Sequence, residues 1–106
     1  VIRLRSYFCH IRVVAMNIVS QPLPGTYLLQ PKVFVDGRGD FVKTFHAGAF
    51  HELGIDFKPV EEFFSTSKKG VIRGMHFQLP PHDHAKLVYC VRGRVRDVLL
   101  DIRKNS

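Results

Sequence analysis

The sequence predicts an all-β domain, a sandwich or barrel with one short helix, and three observations carry that expectation. Apolar residues recur in short runs rich in Val, Ile, Phe and Tyr, Gly- and Pro-bearing clusters separate the runs, and only one stretch has helical spacing. A length of 106 residues leaves room for one packed core and not for two. The composition, 45% hydrophobic, 24% charged and 11% aromatic, is that of a globular protein and not of a disordered or fibrous one. Nowhere do roughly 18 apolar residues follow one another, so no bilayer-spanning helix is expected.

Residues 1–15, VIRLRSYFCHIRVVA, carry Arg3, Arg5 and Arg12 and no acid. Arg12 interrupts the apolar region and no small-x-small cleavage site follows, which argues against a signal peptide. Met16 opens a stretch of different character. The expectation is therefore a native start at Met16, with residues 1–15 a non-native or disordered extension and residues 16–106 the folded part. Pro22-Leu23-Pro24-Gly25 reads as a turn. Thr26 to Gln30 and Lys32 to Val35 read as strands, broken by Pro31, which has no N–H to give to a ladder. In Asp36-Gly37-Arg38-Gly39-Asp40 the two glycines are expected to supply the positive φ angles of a tight hairpin.

Phe41, Lys43 and Phe45 then alternate with Val42 and Thr44, which puts two aromatics on one face of a strand. The one helix is expected from His46 to Leu53. Ala47, Phe50, His51 and Leu53 can share a face there, and Gly54 sits where a C-terminal cap belongs. Val60 to Ser67, Val71 to Leu79, Ala85 to Val91 and Val95 to Ile102 follow as strands, divided by Lys-Lys-Gly, Pro-Pro-His-Asp and Arg-Gly-Arg. The last run stops just before the end of the chain. The sandwich is therefore expected to be truncated, with an open edge or an uncovered apolar face.

The formal net charge is +7, and setting aside residues 1–15 leaves 13 basic against 9 acidic residues. That surplus suits an anionic ligand such as a phosphate or nucleotide. Lys68-Lys69 and the arginines from Arg92 to Arg96 flank strand-like runs without a nucleic-acid-binding signature, so no nucleic-acid partner is expected. The two cysteines, Cys9 and Cys90, make no disulfide framework, which fits a reducing, cytoplasmic location.

The densest polar cluster is Arg73, His76, Gln78, His82, Asp83, His84 and Lys86. In a regular strand Ile72, Gly74, His76 and Gln78 face one way and Arg73 the other. A buried histidine or glutamine there needs a partner or a ligand. His82 and His84, two residues apart, form the kind of pair that binds a metal in small β-barrels, but Val88 and Tyr89 stand where a third, acidic ligand would fall. Pro80-Pro81 also places the pair in a loop. Lys86 lies in an apolar run, where its ammonium either reaches solvent or supplies a fixed positive charge to an oxyanion. Arg38, in the glycine turn, is either a surface arginine or a clamp for phosphate. Gly37-Arg38-Gly39 is too short for a phosphate loop and opens no helix.

The run Gly70-Val71-Ile72-Arg73-Gly74-Met75-His76-Phe77-Gln78, followed by Lys86-Leu87-Val88, Gly93, Asp97-Val98 and Asp101-Ile102-Arg103, resembles the centre of the dTDP-4-dehydrorhamnose 3,5-epimerases. Pro31-Lys32-Val33-Phe34 with Asp36, Arg38-Gly39, Phe41 and Phe45 is similar to that family's N-terminal part, and the agreement runs from Met16 to Ser106. The resemblance implies a cupin-type jelly roll, a homodimer when full length, no cofactor and no metal. It also implies that this chain is the N-terminal half of such an enzyme, with the tyrosine proton donor and the histidine-orienting acid in the other half.

By the same resemblance His76 is the general base that takes a proton next to the C4 ketone of a dTDP-linked 6-deoxy-4-keto hexose, and Lys86 stabilises the enolate oxygen. Arg38 and Arg73 match ligand-binding arginines, and Glu61, Phe63, Lys43 and Gln78 join them as substrate-binding positions. Two departures from the family pattern stand among these. Glu61-Glu62-Phe63 replaces a Gln-x-Asn pair, and Lys43 replaces a glutamate. A 3,4-ketoisomerase, or a non-catalytic sugar- or metal-binding cupin using His82 and His84, is the alternative.

Overall fold

The computed structural model describes residues 16–104. The expectation for residues 1–15, together with Cys9, lies outside the described residues. Those that are described fall into two units that part between Gly54 and Ile55.

The first unit holds all the regular structure. Strand β1 (Met16–Ser20) pairs antiparallel with β2 (Leu28–Pro31), with Met16 opposite Pro31 and Ile18 opposite Leu29. The register shifts between Ile18 and Ser20, so Val19 is the extra residue of a bulge. The turn joining the strands is built from Leu23 to Thr26, with Pro24 and Gly25 at its centre. Gly25 takes φ +81°, and the Thr26 N–H donates to the Leu23 carbonyl at 2.9 Å, the pattern of a type II turn. The Thr26 hydroxyl closes the same turn twice, donating to the Leu23 carbonyl at 2.8 Å and accepting from the Leu23 N–H at 2.9 Å.

Strands β3 (Val33–Asp36) and β4 (Gly39–Val42) form a second antiparallel pair, with Asp36 opposite Gly39 across the two-residue connection Gly37-Arg38. Phe34 and Phe41 lie directly opposite each other with ring centroids 6.2 Å apart, and the Lys32 ammonium sits 4.9 Å from the Phe34 ring centroid. Helix α1 (Ala47–Glu52) follows. His46 is its N-cap, with extended backbone and a ring Nδ1 that accepts from the Ala49 N–H at 3.1 Å. Gly54, at φ +73°, closes the other end by donating to the His51 carbonyl at 3.0 Å. Among the described residues the buried ones are Met16, Ala49 and Phe50, and the Phe50 ring meets Phe45 edge-on at 5.1 Å.

The expectations for this unit need four corrections, the first being that β4 ends at Val42, so Phe45 lies outside the strand whose face it was expected to share with Phe41. Met16–Ser20 is a strand where no element is expected. Pro31 ends β2 instead of standing outside it, because a terminal strand position asks the residue for no N–H. Only Gly39 of the two hairpin glycines has positive φ, at +127°, and the Asp36 carboxylate accepts the Arg38 N–H within the turn at 2.8 Å.

The second unit is irregular. Its backbone hydrogen bonds are local: the Val71 N–H to the Lys68 carbonyl at 3.3 Å, around Gly70 at φ +83°, and the His82 N–H to the Leu79 carbonyl at 2.9 Å. The four strands expected from Val60 to Ile102 form no ladder among the described residues. Their apolar side chains stay exposed, Val60 by 97%, Ile72 by 93% and Phe64 by 92%. A ladder needs a partner strand brought from elsewhere in sequence, and a run of β-favouring residues does not contain its own partner. The architecture is thus all-β with one short helix, and the strands among the described residues form two small antiparallel pairs. No helix among the described residues is long and apolar enough to cross a membrane.

Candidate active site

In the first unit the only predicted ligand groups are Arg38 and Lys43. Arg38 stands at the tip of the β3–β4 hairpin, its side chain 91% exposed. Asp36 holds it by both backbone and side chain. The carboxylate Oδ1 accepts the Arg38 N–H at 2.8 Å, making an Asx turn, and the same group takes Nε at 3.2 Å on each oxygen and Nη2 on Oδ2 at 2.5 Å. These bonds to Arg38 hold the Asp36 carboxyl below the usual carboxylate range and raise the guanidinium above its own. Lys43 follows the last residue of β4 and is exposed.

In the second unit the guanidinium of Arg73 is also held. Its Nε donates to the Ser67 hydroxyl at 2.9 Å and its Nη2 to the Thr66 carbonyl at 3.4 Å, back across the turn at Gly70. Gly74, next to it, has φ +134°, a conformation that side chains disfavour. A Cβ at Gly74 would meet only the His76 backbone nitrogen, at 3.9 Å, so glycine serves backbone shape here and not space. That break in the extended backbone upsets the strict alternation that would have put Arg73 and His76 on opposite faces. His76, Gln78 and Lys86 are exposed and make no hydrogen bond or ion pair among the described residues.

Glu61 and Phe63 are exposed as well, Phe63 by 82%. Their neighbour Glu62, which carried no assignment, accepts from the Tyr89 hydroxyl at 3.4 Å. The structure therefore organises single arginines by local partners, while His76 and Lys86 both lie exposed.

One ring nitrogen of the histidine pair is tied within its own loop. The His84 Nδ1 lies 2.9 Å from the His82 carbonyl oxygen, a hydrogen bond that requires the proton on Nδ1 and leaves the lone pair on Nε2. Among the described residues no three His, Cys, Asp or Glu side chains come together as a metal-binding group, so the metal-binding alternative has no third ligand there. Sequence reading missed Asp36 and Ser67 as the partners of the two arginines. The signal for the first was available: an Asp two residues before an Arg in a turn, a pattern repeated at Asp101 and Arg103. There the Asp101 carboxylate again takes the Arg103 N–H at 3.1 Å and Nε at 2.8 Å, and pairs with Nη2.

Residues 20–106 match the family model described as dTDP-4-dehydrorhamnose 3,5-epimerase. The chain belongs to this family. It is 45% identical over 92 residues to the dTDP-4-dehydrorhamnose 3,5-epimerase of Shigella flexneri, covering 86% of this chain and 51% of that protein. It is 46% identical over 91 residues to the enzyme of the same name from Neisseria gonorrhoeae, covering 86% of this chain and 27% of the relative. The Escherichia coli K12 enzyme of that name is 42% identical over 92 residues, covering 86% of this chain and 50% of the relative. The chain thus spans about half the length of the Shigella and Escherichia relatives. No solved structure matches it. The matched segment starts at Ser20, four residues after the Met16 from which the family resemblance runs, and takes in every candidate site residue of the epimerase reading.

Proposed function

We propose that the protein carrying this chain epimerises a dTDP-linked 4-keto-6-deoxy hexose at C3, C5 or both, with His76 and Lys86 as its catalytic pair. The observation that carries this reading is the family match over residues 20–106, which contains both residues inside the runs that resemble the epimerase centre. A C–H bond beside a ketone breaks when its proton passes to a neutral imidazole and its electron pair moves through the carbon framework onto the C4 oxygen. His76 takes that proton and Lys86 meets the developing negative charge on oxygen. Return of a proton to the opposite face of the same carbon, with loss of the proton from His76, inverts the centre and restores the ketone. Base and cation together balance the charge, so no cofactor or metal is assigned.

Arg38 and Arg73 bind the diphosphate, where a planar fork of donors suits phosphate oxygens. Glu61, Phe63, Lys43 and Gln78 meet the sugar and the base. At a 4 Å separation an ion pair is worth only about 1 kcal/mol in bulk water and several times more at the lower effective dielectric of a protein. An exposed Lys86 therefore cannot do this work, and catalysis requires the exposed apolar runs of residues 60–102 to be covered. A cupin-type jelly roll, whose N-terminal part is residues 16–106, covers them, as a cytoplasmic homodimer. Proton exchange in D2O tests the reading. Turnover should wash deuterium into C3 or C5 as seen by 1H NMR, and His76→Ala should lower that exchange at least about a hundredfold while substrate still binds. Exchange at the normal rate in the variant, or movement of the ketone to C3, would overturn it.

A further inference from the structure

We propose that Asp36 is a positioning residue that pre-sets the Arg38 fork for a diphosphate. The inference rests on the reading of Arg38 as an anion ligand and adds to it a residue with no role of its own in that reading. An arginine at a hairpin tip, 91% exposed, ordinarily samples many rotamers, and each must be given up when a ligand binds. Here the carboxylate of the residue that opens the turn removes that freedom beforehand. It accepts the backbone N–H at 2.8 Å, Nε at 3.2 Å and Nη2 at 2.5 Å, so the turn and the guanidinium are fixed by one group. The Nε/Nη2 edge is thereby occupied. The outer edge, made by Nη1 and the second hydrogen of Nη2, is left to meet phosphate oxygens in a fixed orientation.

Two physical effects of Asp36 oppose each other, which makes the role testable. Its negative charge repels a diphosphate, so by charge alone Asp36→Asn should tighten binding. Its hold on the fork prepays the ordering of Arg38, so by positioning Asp36→Asn should weaken binding. Asparagine keeps an acceptor for the Arg38 backbone N–H and so keeps the Asx turn, but it gives up the two-oxygen grip on the guanidinium.

The experiment titrates 15N-labelled chain with inorganic pyrophosphate, follows the Arg38 Nε–H signal, and checks the hairpin by the cross-strand Phe34–Phe41 ring contacts. The expected result is saturable binding by the unmodified chain and about threefold to tenfold weaker binding by Asp36→Asn, a fraction of the side-chain freedom an unrestrained arginine must lose. The Phe34–Phe41 contacts should persist in the variant. Equal or tighter binding by Asp36→Asn would overturn the positioning role and leave Arg38 as a ligand. Loss of the Phe34–Phe41 contacts would overturn it too, by showing that the carboxylate serves the turn alone. No response of Arg38 in the unmodified chain would overturn the anion-ligand reading itself.

Discussion

Phe50 carries the first unit, and Phe50→Ala should unfold it. Only Met16, Ala49 and Phe50 are buried in the described part of this unit, and Phe50 is the largest of them at 3% exposure. Truncating a buried phenylalanine to alanine costs about 3–5 kcal/mol, the transfer term together with the cavity left behind. The edge-on contact with Phe45 at 5.1 Å adds roughly 0.5–1.5 kcal/mol that alanine cannot replace. Against this stands a segment running from Met16 to Gly54, whose whole stability, at about 0.05–0.15 kcal/mol per residue, comes to roughly 2–6 kcal/mol. The loss is as large as the total. The helix cannot survive alone, since its six residues are far below the about 12–15 that an isolated helix needs.

Amide hydrogen exchange reads the outcome. The N–H groups of Phe50, bonded to the His46 carbonyl at 3.1 Å, and of Leu53, bonded to the Ala49 carbonyl at 3.1 Å, should lose their protection in Phe50→Ala. Val35→Ala is the control, because Val35 is 73% exposed and its truncation should change stability by no more than about 0.5 kcal/mol. Protection in Phe50→Ala matching that in Val35→Ala would refute the reasoning and mean that the unit's stability resides outside this core.

Two further predictions concern charge. The Asp101 carboxyl is lowered to about 2 by its hydrogen bonds to Arg103, so the stability this pair adds is fully present above the ordinary carboxylate pKa. It is lost as pH falls from there through about 2; the 13C carboxyl shift of Asp101 should follow that course and return to the ordinary range in Arg103→Gln. At the position proposed to stabilise the enolate, Lys86→Met in the active protein should lower kcat by roughly two to three powers of ten, the scale of one electrostatic group. Arg at that position should restore only part of the activity, since its planar fork is larger and differently directed. Steady-state turnover checks this, and normal kcat in Lys86→Met would show that the side chain merely reaches solvent.

What could be read from the sequence divides along the range of the interactions involved. The turn at Pro24-Gly25 and the cap at Gly54 were legible because proline, glycine and a neighbouring hydroxyl specify them within four residues, and both stand where expected. The helix kept its place within a residue at each end, with His46 as the cap of a helix expected to begin there. Register and pairing were not legible. Nothing in Met-Asn-Ile-Val-Ser announces a strand until Leu28–Pro31 is there to receive it, and the longer, more β-like runs after Val60 find no such receiver among the described residues.

The site follows the same rule. Arg38 stands at the hairpin tip that its flanking glycines predict, whereas its charged partner Asp36 acts through side-chain geometry that glycine spacing does not reveal. His82 and His84 have the spacing of a metal pair, and the Nδ1 bond of His84 to a local carbonyl still leaves Nε2 open; what the pair lacks among the described residues is a third ligand. His76 and Lys86 are the opposite case. Nothing near them in sequence fixes either side chain, and an imidazole base and an ammonium act together only where distant chain brings them close and excludes water. The roles proposed for His76 and Lys86 thus depend on long-range assembly, which local geometry does not supply. An arginine held by its own neighbours, by contrast, can be understood from the hairpin alone.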